Sequence, residues 1–426
     1  MKKYYYPTSA ELLETLKRPE KNSDDLENLV KEIFDDLKAK GDIALKNYSK
    51  KFDNVELTNI KVTEEEFNVA KSNVSADLKE AIQIAASNIV KFHEAQKEEV
   101  LKIETMPGVT CWRKSVGIEK VGLYIPGGTA PLFSTVLMLG IPAVLAGCKR
   151  IVLCTPSDKN GNINPAILYT AQLIGITDVY KVGGIQAIAA MSYGTKSIPK
   201  VYKIFGPGNQ YVTAAKQFAQ QVGIAIDMPA GPSELMVVSD EYSNAAFVAS
   251  DLLSQAEHGE DSQVVLISTS KVFVEEVEKE VFKQLEFLPR REIAIKALEN
   301  SAAIVVQQVE ILSIINEYGP EHLILTTKFN EELIEGVVNA GSVFIGEYTP
   351  ESAGDYASGT NHTLPTNGYS KQYSGVSLDS YVKKITYQNI SKEGIKNIGK
   401  TIEIMSEAEG LFAHKNAVTL RLNDLL

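Results

Sequence analysis

At 426 residues the chain is long enough for two or more hydrophobic cores. Its 44% apolar and 23% charged residues are those of a soluble globular protein, and a net charge of -11 with a pI near 5.2 argues against nucleic acid or an anionic membrane surface as the main partner. Cys111, Cys148 and Cys154 form neither a paired framework nor a metal-binding Cys-x-x-Cys. The start of the chain lacks a signal-like apolar run and no stretch nears the length of a membrane span, so a small-molecule ligand and a cytoplasmic setting are expected.

Residues 9 to about 102 carry a charged helical pattern, with Ser23 or Asp24 placed to cap a helix through Leu37 and an amphipathic helix over 78–96. His93 lies in that second helix, on a different face from Glu94, and reads as structural. At Val116 the character changes: apolar runs at 151–154 and 179–182 read as strands, and 136–146 and 165–173 as helices between them. Such alternation predicts a parallel sheet covered on both faces. The turns Pro126-Gly127-Gly128, Gly183-Gly184 and Gly206-Pro207-Gly208-Asn209 then fall at strand ends, where backbone amides can approach a phosphate. None is a G-x-G-x-x-G, and simple turn chemistry accounts for them equally well.

A Pro/Gly-rich turn over 226–232 precedes Ser233-Glu234 and an apolar run at 235–238; Ser233 reads as a turn residue or as a donor to a polar ligand. From Asn244 to about His258 the spacing of Phe247, Val248, Leu252 and Leu253 predicts a helix capped by Ser243 and closed by Gly259. Gln255 and His258 then share a face in its last turn, where the helix dipole favours a cation held by an amide oxygen and an imidazole. A solvated acidic helix end gives the same pattern, so the pair alone does not make a site. Strands are expected at 264–268 and 303–307, with a charged helix from about Val272 between them. Gly319-Pro320 breaks the next helix and sets Glu321 and His322 at the start of an apolar strand, an acid beside an imidazole suited to proton transfer. Residues 354–365 are rich in small polar side chains and aperiodic, and read as a long loop of the functional kind. A last helix over 395–407 leads into Glu409 and His414.

The runs 122–134, 183–187, 205–209, 227–234, 255–258, 319–322, 354–365 and 413–417 together resemble the histidinol dehydrogenase family, which ends histidine biosynthesis, and the likeness spans nearly the whole chain. The resemblance implies an α/β fold of two Rossmann-like parallel-sheet domains, incomplete and aldehyde-dehydrogenase-like, with small helical extensions at both ends. The implied division is an extension over 1–24, a zinc and catalytic domain from 25–121 and 234–372, an NAD-associated domain over 122–233, and a tail over 373–426 that docks on a partner subunit. It implies one zinc per subunit on Gln255, His258, Asp355 and His414, catalysis by Glu321 and His322, and NAD contacts from Tyr124, Gln186 and Asn209. Substrate contacts are implied for Ser233, Gln255, His258, Glu321, His322, Asp355, Glu409 and His414. The implied reaction is the NAD-dependent oxidation of L-histidinol through L-histidinaldehyde to L-histidine, in a homodimer with shared sites. Rival readings are a relative acting on another polar alcohol, a zinc hydrolase in which Glu321 activates water, and a non-catalytic binder. A cysteine thiohemiacetal at the aldehyde step is a further alternative, but Cys148 and Cys154 flank an apolar run with no histidine nearby to activate them.

Overall fold

Apolar runs without polar alternation become strands covered on both faces: Glu234–Ser239 and Gln263–Ser268 are buried at every position. The computed structural model describes residues 1–18, 24–127, 131–229 and 231–426. The two strands lie at the centre of a six-stranded parallel sheet ordered Lys2–Tyr5, Ala302–Val305, Gln263–Ser268, Glu234–Ser239, His322–Leu325, Ser342–Ile345. A five-stranded parallel sheet runs Val179–Lys181, Arg150–Thr155, Lys120–Tyr124, Lys203–Phe205, Ala225–Ile226. In this second sheet the chain starts at the centre, builds to one edge and returns to the other. Strand order therefore reverses between Lys120–Tyr124 and Lys203–Phe205, and ligands bind beyond the carboxyl ends of strands at such a reversal. The expected helices appear as Phe133–Leu145 and Pro165–Leu173, the latter capped by Asn164 with proline at its first position.

Helix packing departs from the expected division of the chain. Val30, Ile33, Phe34 and Leu37 of Asp24–Lys40 share a core with Val152, Ile188 and Ala215 around the five-stranded sheet, and Ala76–Glu94 packs on Phe133–Leu145. These helices therefore clothe the five-stranded sheet, whereas residues 25–121 were expected with 234–372. An apolar stripe shows that a helix is covered, not which sheet covers it. Residues 1–18 join the six-stranded sheet, with Lys2–Tyr5 as its edge strand. The expected N-cap Ser23 lies outside the described residues.

An unexpected third sheet is antiparallel, made of Val382–Ile390, Val109–Gly117 and Lys102–Met106. Its strands are mostly exposed or half-buried and so carry no apolar face that patterning detects. The tail continues as Lys392–Ala408 and a second helix, Phe412–Asn423, which pack chiefly on each other. The segment 357–367 crosses between the two larger units. Asn88 donates to the carbonyl of Ala357 (2.9 Å) and Asn361 to that of Met138 (2.6 Å). His93, buried as expected, sits between Gln96 and Asn361. No helix among the described residues is long and apolar enough to cross a membrane.

Candidate active site

Gly319, left-handed at φ 62°, ends the helix Gln308–Tyr318 and turns the chain into His322–Leu325, so Glu321 and His322 enter the six-stranded sheet buried. His322 pairs in register with Leu235, which sets it beside the peptide groups of Glu234. The Glu234 N–H donates to Glu321 Oε2 at 2.9 Å. Its carbonyl accepts from His322 Nδ1 and from Gln255 Nε2, both at 3.2 Å. A carbonyl only accepts, so Nδ1 bears a proton, and whenever the ring is neutral its lone pair is on Nε2.

Gln255 comes from the helix Ala245–Ala256. Asn244 caps it by accepting from Ala246 and Phe247 N–H, while the expected cap Ser243 instead donates to the Thr326 carbonyl at 2.7 Å. Gly259 does not take the left-handed backbone expected of it, and Glu257 closes the helix. His258 lies exposed in the turn beyond. Asp355 stands on a short helix, Glu351–Tyr356, rather than in the expected loop. Ligand atoms of His258, Glu351 and Asp355 lie within 4.8 Å of one another, and Asp355 Oδ1 is 3.7 Å from His322 Nε2.

Sequence reasoning missed Glu351. It precedes Asp355 by four residues and shares its helix face, a spacing hidden once the segment is read as a loop. It also left His362 without a role. The His362 Nδ1–H donates to the Asp355 carbonyl at 3.0 Å and Nε2 accepts from the Thr135 hydroxyl at 3.1 Å, which ties the Asp355 segment to the helix Phe133–Leu145. Burial holds the His362 pKa below the ordinary value, consistent with this neutral donor–acceptor role.

Among the described residues, three buried polar atoms at this cluster have no partner: Gln255 Oε1, His322 Nε2 and Glu351 Oε1. Each unpaired group costs about 1–3 kcal/mol, so together they mark a place made for a ligand. Burial opposes charge on His322, but Glu321, Glu351 and Asp355 outweigh it and hold its pKa well above the ordinary value. Burial raises Glu351, while Asp355 is lowered because His322, His362 and His258 outweigh its own burial. Several acids around few cations make a cation-binding environment.

The remaining expected residues are placed differently. Ser233 is half-buried at the start of Glu234–Ser239, next to the cluster in sequence. Glu409 and His414 are exposed on the tail, and His414 is not in the converging ligand group of its own chain. Cys154 is fully buried and its thiol pKa is raised by burial; Cys148 is pushed up to about 11 for the same reason, so neither is a ready thiolate.

At the carboxyl ends of the five-stranded sheet lies a cleft of about 1040 Å³, lined among others by Asp53, Tyr124, Gly127, Gly183, Gly184 and Asn209. The Tyr124 hydroxyl accepts from the Gly184 N–H at 3.0 Å, and Asn209 caps Gln210–Gln221 through Tyr211 and Val212 N–H. Two helices, Gly184–Tyr193 and Gln210–Gln221, begin at this cleft and turn their positive ends toward it, an arrangement that favours an anion such as phosphate. Gln186 does not line the cleft; it is buried and reaches it through Asp53, 3.4 Å away. Gly128 and Thr129 lie outside the described residues.

A sequence model of the family described as histidinol dehydrogenase matches residues 16–422. Histidinol dehydrogenase of Bacteroides thetaiotaomicron is 60% identical over 426 residues, all of both chains. The crystal structure of histidinol dehydrogenase from Elizabethkingia anophelis superposes with a TM-score of 0.98 at 58% identity, covering 100% of this chain and 98% of that one. An acetylating aldehyde dehydrogenase from Geobacillus thermoglucosidasius, 14% identical with a TM-score of 0.50 over 85% of this chain and 96% of that one, shares the fold alone. The pair of parallel-sheet units is thus the aldehyde-dehydrogenase-like arrangement anticipated from the motifs, and the chain belongs to the histidinol dehydrogenase family.

Proposed function

We propose that this chain oxidises L-histidinol to L-histidine through L-histidinaldehyde in the cytoplasm, with NAD and one zinc ion per subunit. The carrying observation is the convergence of Gln255 Oε1, His322 Nε2 and Glu351 Oε1, buried and unpartnered, beside His258 and Asp355. An amide oxygen, an imidazole and carboxylates without thiolate suit zinc or manganese. Gln255, His258 and Asp355 would hold the ion, with His414 of a second copy as the fourth ligand; the bound ion supplies charge that orients the substrate. NAD would lie in the cleft beside Tyr124 and Asn209, supported through Asp53 by Gln186, and supplies the hydride acceptor.

The chain's own groups handle the protons. His322 Nε2 takes the hydroxyl proton as hydride departs, and the Nδ1–H bond to the Glu234 carbonyl steadies the charged ring. Glu321 has Oε2 committed to the Glu234 N–H, which orients its other oxygen to take a proton from the water that hydrates the aldehyde. The hydrate loses a second hydride, with His322 again accepting the proton. In sum, alcohol, water and two oxidised cofactors give carboxylate, two reduced cofactors and three protons. Ser233, and Glu409 from a second copy, would contact the substrate. The test is purified protein with L-histidinol and NAD: two NADH are expected per histidine, and no NADH, or one with aldehyde accumulating, defeats the reading.

A further inference from the structure

Arg18, the last described residue before residue 24, reaches into the six-stranded unit from the N-terminal segment. Its Nε and Nη2 pair with the two oxygens of Glu234 at 2.6 and 2.9 Å, and the Asn367 N–H adds a third donor at 2.7 Å. Burial, with the nearby Glu321 charge, raises the Glu234 pKa, but three donors on its two oxygens are the geometry of an ionised carboxylate. The same guanidinium lies 4.0 Å above the Tyr318 ring, and Nη2 also donates to the Tyr318 carbonyl at 2.8 Å. Tyr318 is fixed in turn, its hydroxyl donating to Gln263 at 2.8 Å, and Gln263 bonds the carbonyls of Lys17 and Asn300.

One side chain therefore grips both approaches to the catalytic pair. On one side it holds Tyr318, whose chain continues through Gly319 and Pro320 into Glu321 and His322. On the other it holds Glu234, whose N–H orients the Glu321 carboxylate and whose carbonyl fixes the His322 proton on Nδ1 and the Gln255 amide with its oxygen free. Lysine cannot reproduce this, because a single ammonium cannot span two carboxylate oxygens and a carbonyl in one plane.

We propose that Arg18, acting through Glu234, is a positioning residue for the Glu321–His322 pair, making the N-terminal segment part of the active-site scaffold. The proposal rests on the reaction assigned above for its kinetic consequence, but its structural consequence stands alone. The experiment uses full-length, zinc-loaded protein as wild type, R18Q and R18K. Misplacement of reacting groups by about 1 Å costs on the order of 10²-fold. R18Q should lose about that factor in kcat for L-histidinol, with KM within about threefold and metal content unchanged; R18K should recover only part of it. A merely structural role would lower folded fraction, metal content and kcat together.

The second readout is the ¹⁵N spectrum of the histidine rings, with the His322 signals assigned by their loss in H322N. In the neutral ring, wild type should show Nδ1 protonated and Nε2 bare, and R18Q a mixture of tautomers. A neutral wild-type ring with its proton on Nε2, or an R18Q protein with kcat within twofold of wild type and an unchanged ring spectrum, overturns the proposal. If R18Q does not fold, R18K alone decides: full wild-type kcat and spectrum in R18K would also overturn it. If wild type fails to oxidise histidinol while the ring signals still shift in R18Q, the assigned reaction falls and the positioning role stands.

Discussion

Lys216→Met tests how the turn at the cleft of the five-stranded sheet is held. Lys216 and Asp227 form an ion pair at 2.5 Å whose side chains are 2% and 1% exposed. Asp227 Oδ2 accepts from the Gly206 N–H at 2.8 Å, and Lys216 Nζ donates to the Gly206 carbonyl at 2.9 Å. Both polar groups of Gly206 thus face the pair, and the residue sits at φ +140° with room for no more than hydrogen: a Cβ would lie 2.2 Å from the Tyr124 carbonyl oxygen. Methionine fills the space of the lysine stem but leaves Asp227 without its ion-pair partner, with only the more distant Lys203 charge, and the Gly206 carbonyl without a donor. Breaking a buried pair costs about 3–5 kcal/mol. The orphaned carbonyl alone costs about 1–3, so the stranded charge is the larger effect. The double variant K216M/D227N removes that charge and keeps one amide oxygen, so it can accept from only one of the two backbone N–H groups that Asp227 now holds, Gly206 or Met228. It should be more stable than K216M by up to about 2 kcal/mol, the difference between those two ranges. Urea unfolding followed by circular dichroism measures both, and NADH fluorescence titration should show weaker binding in K216M, because the turn leads directly to Asn209. A single variant costing under about 1 kcal/mol, or a double variant less stable than the single, refutes the reasoning.

His258→Ala should release the metal of the proposed site and abolish turnover while leaving the fold intact, because His258 is exposed and outside every core; full activity after chelation to zero metal, checked by elemental analysis, contradicts this. His322→Asn should slow alcohol oxidation by about 10² to 10⁴, whereas Glu321→Gln should act mainly on the hydration and oxidation of supplied aldehyde; equal effects on both half-reactions defeat the division. Burial holds His93 neutral and its pKa below the ordinary value of 6.5. A folded pKa lower than the unfolded one makes the unfolded state bind more protons, so stability is full above pH 6.5 and falls as pH drops toward the folded value. His93→Gln should flatten that acid limb of a urea-midpoint profile, and an unchanged limb rules His93 out as its source.

What was legible in the sequence follows from what each feature buries. Val179–Lys181 and Gln263–Ser268 could be read because strands covered on both faces are continuously apolar. Glu321 and His322 could be placed because Gly319-Pro320 ends the helix and the apolar run after them reads as a strand. The exposed strand Val382–Ile390 has no such signal. Nor has Glu234, whose role comes from peptide groups that every residue possesses and from a guanidinium 216 positions away. Glu351 illustrates the same limit: its carboxylate joins the cluster only because 351–356 folds as a helix, where small polar residues suggest a loop. Spacing locates side chains within an element, while convergence between elements is decided by which sheet each one covers.

The tail is where convergence within one chain falls short. Glu409 and His414 are exposed, and the helices bearing them rest on each other beside a mostly exposed antiparallel sheet. The same tail exposes Ile404, Met405, Leu411, Phe412 and Leu420. So many large apolar side chains on two adjacent helices call for a covering surface. If the tail of one copy covers the site of another, His414 supplies the ligand missing beside Gln255, His258 and Asp355. Co-refolding His414→Ala with His322→Asn then separates the two arrangements. With crossing tails, each mixed dimer has one site carrying both defects and one carrying neither. Equal mixing makes about half the dimers mixed under two-fold symmetry, and activity should recover to roughly a quarter of wild type. With tails that serve their own chain, every site keeps one defect and the mixture stays as inactive as either variant alone, which would remove His414 of the partner from the site.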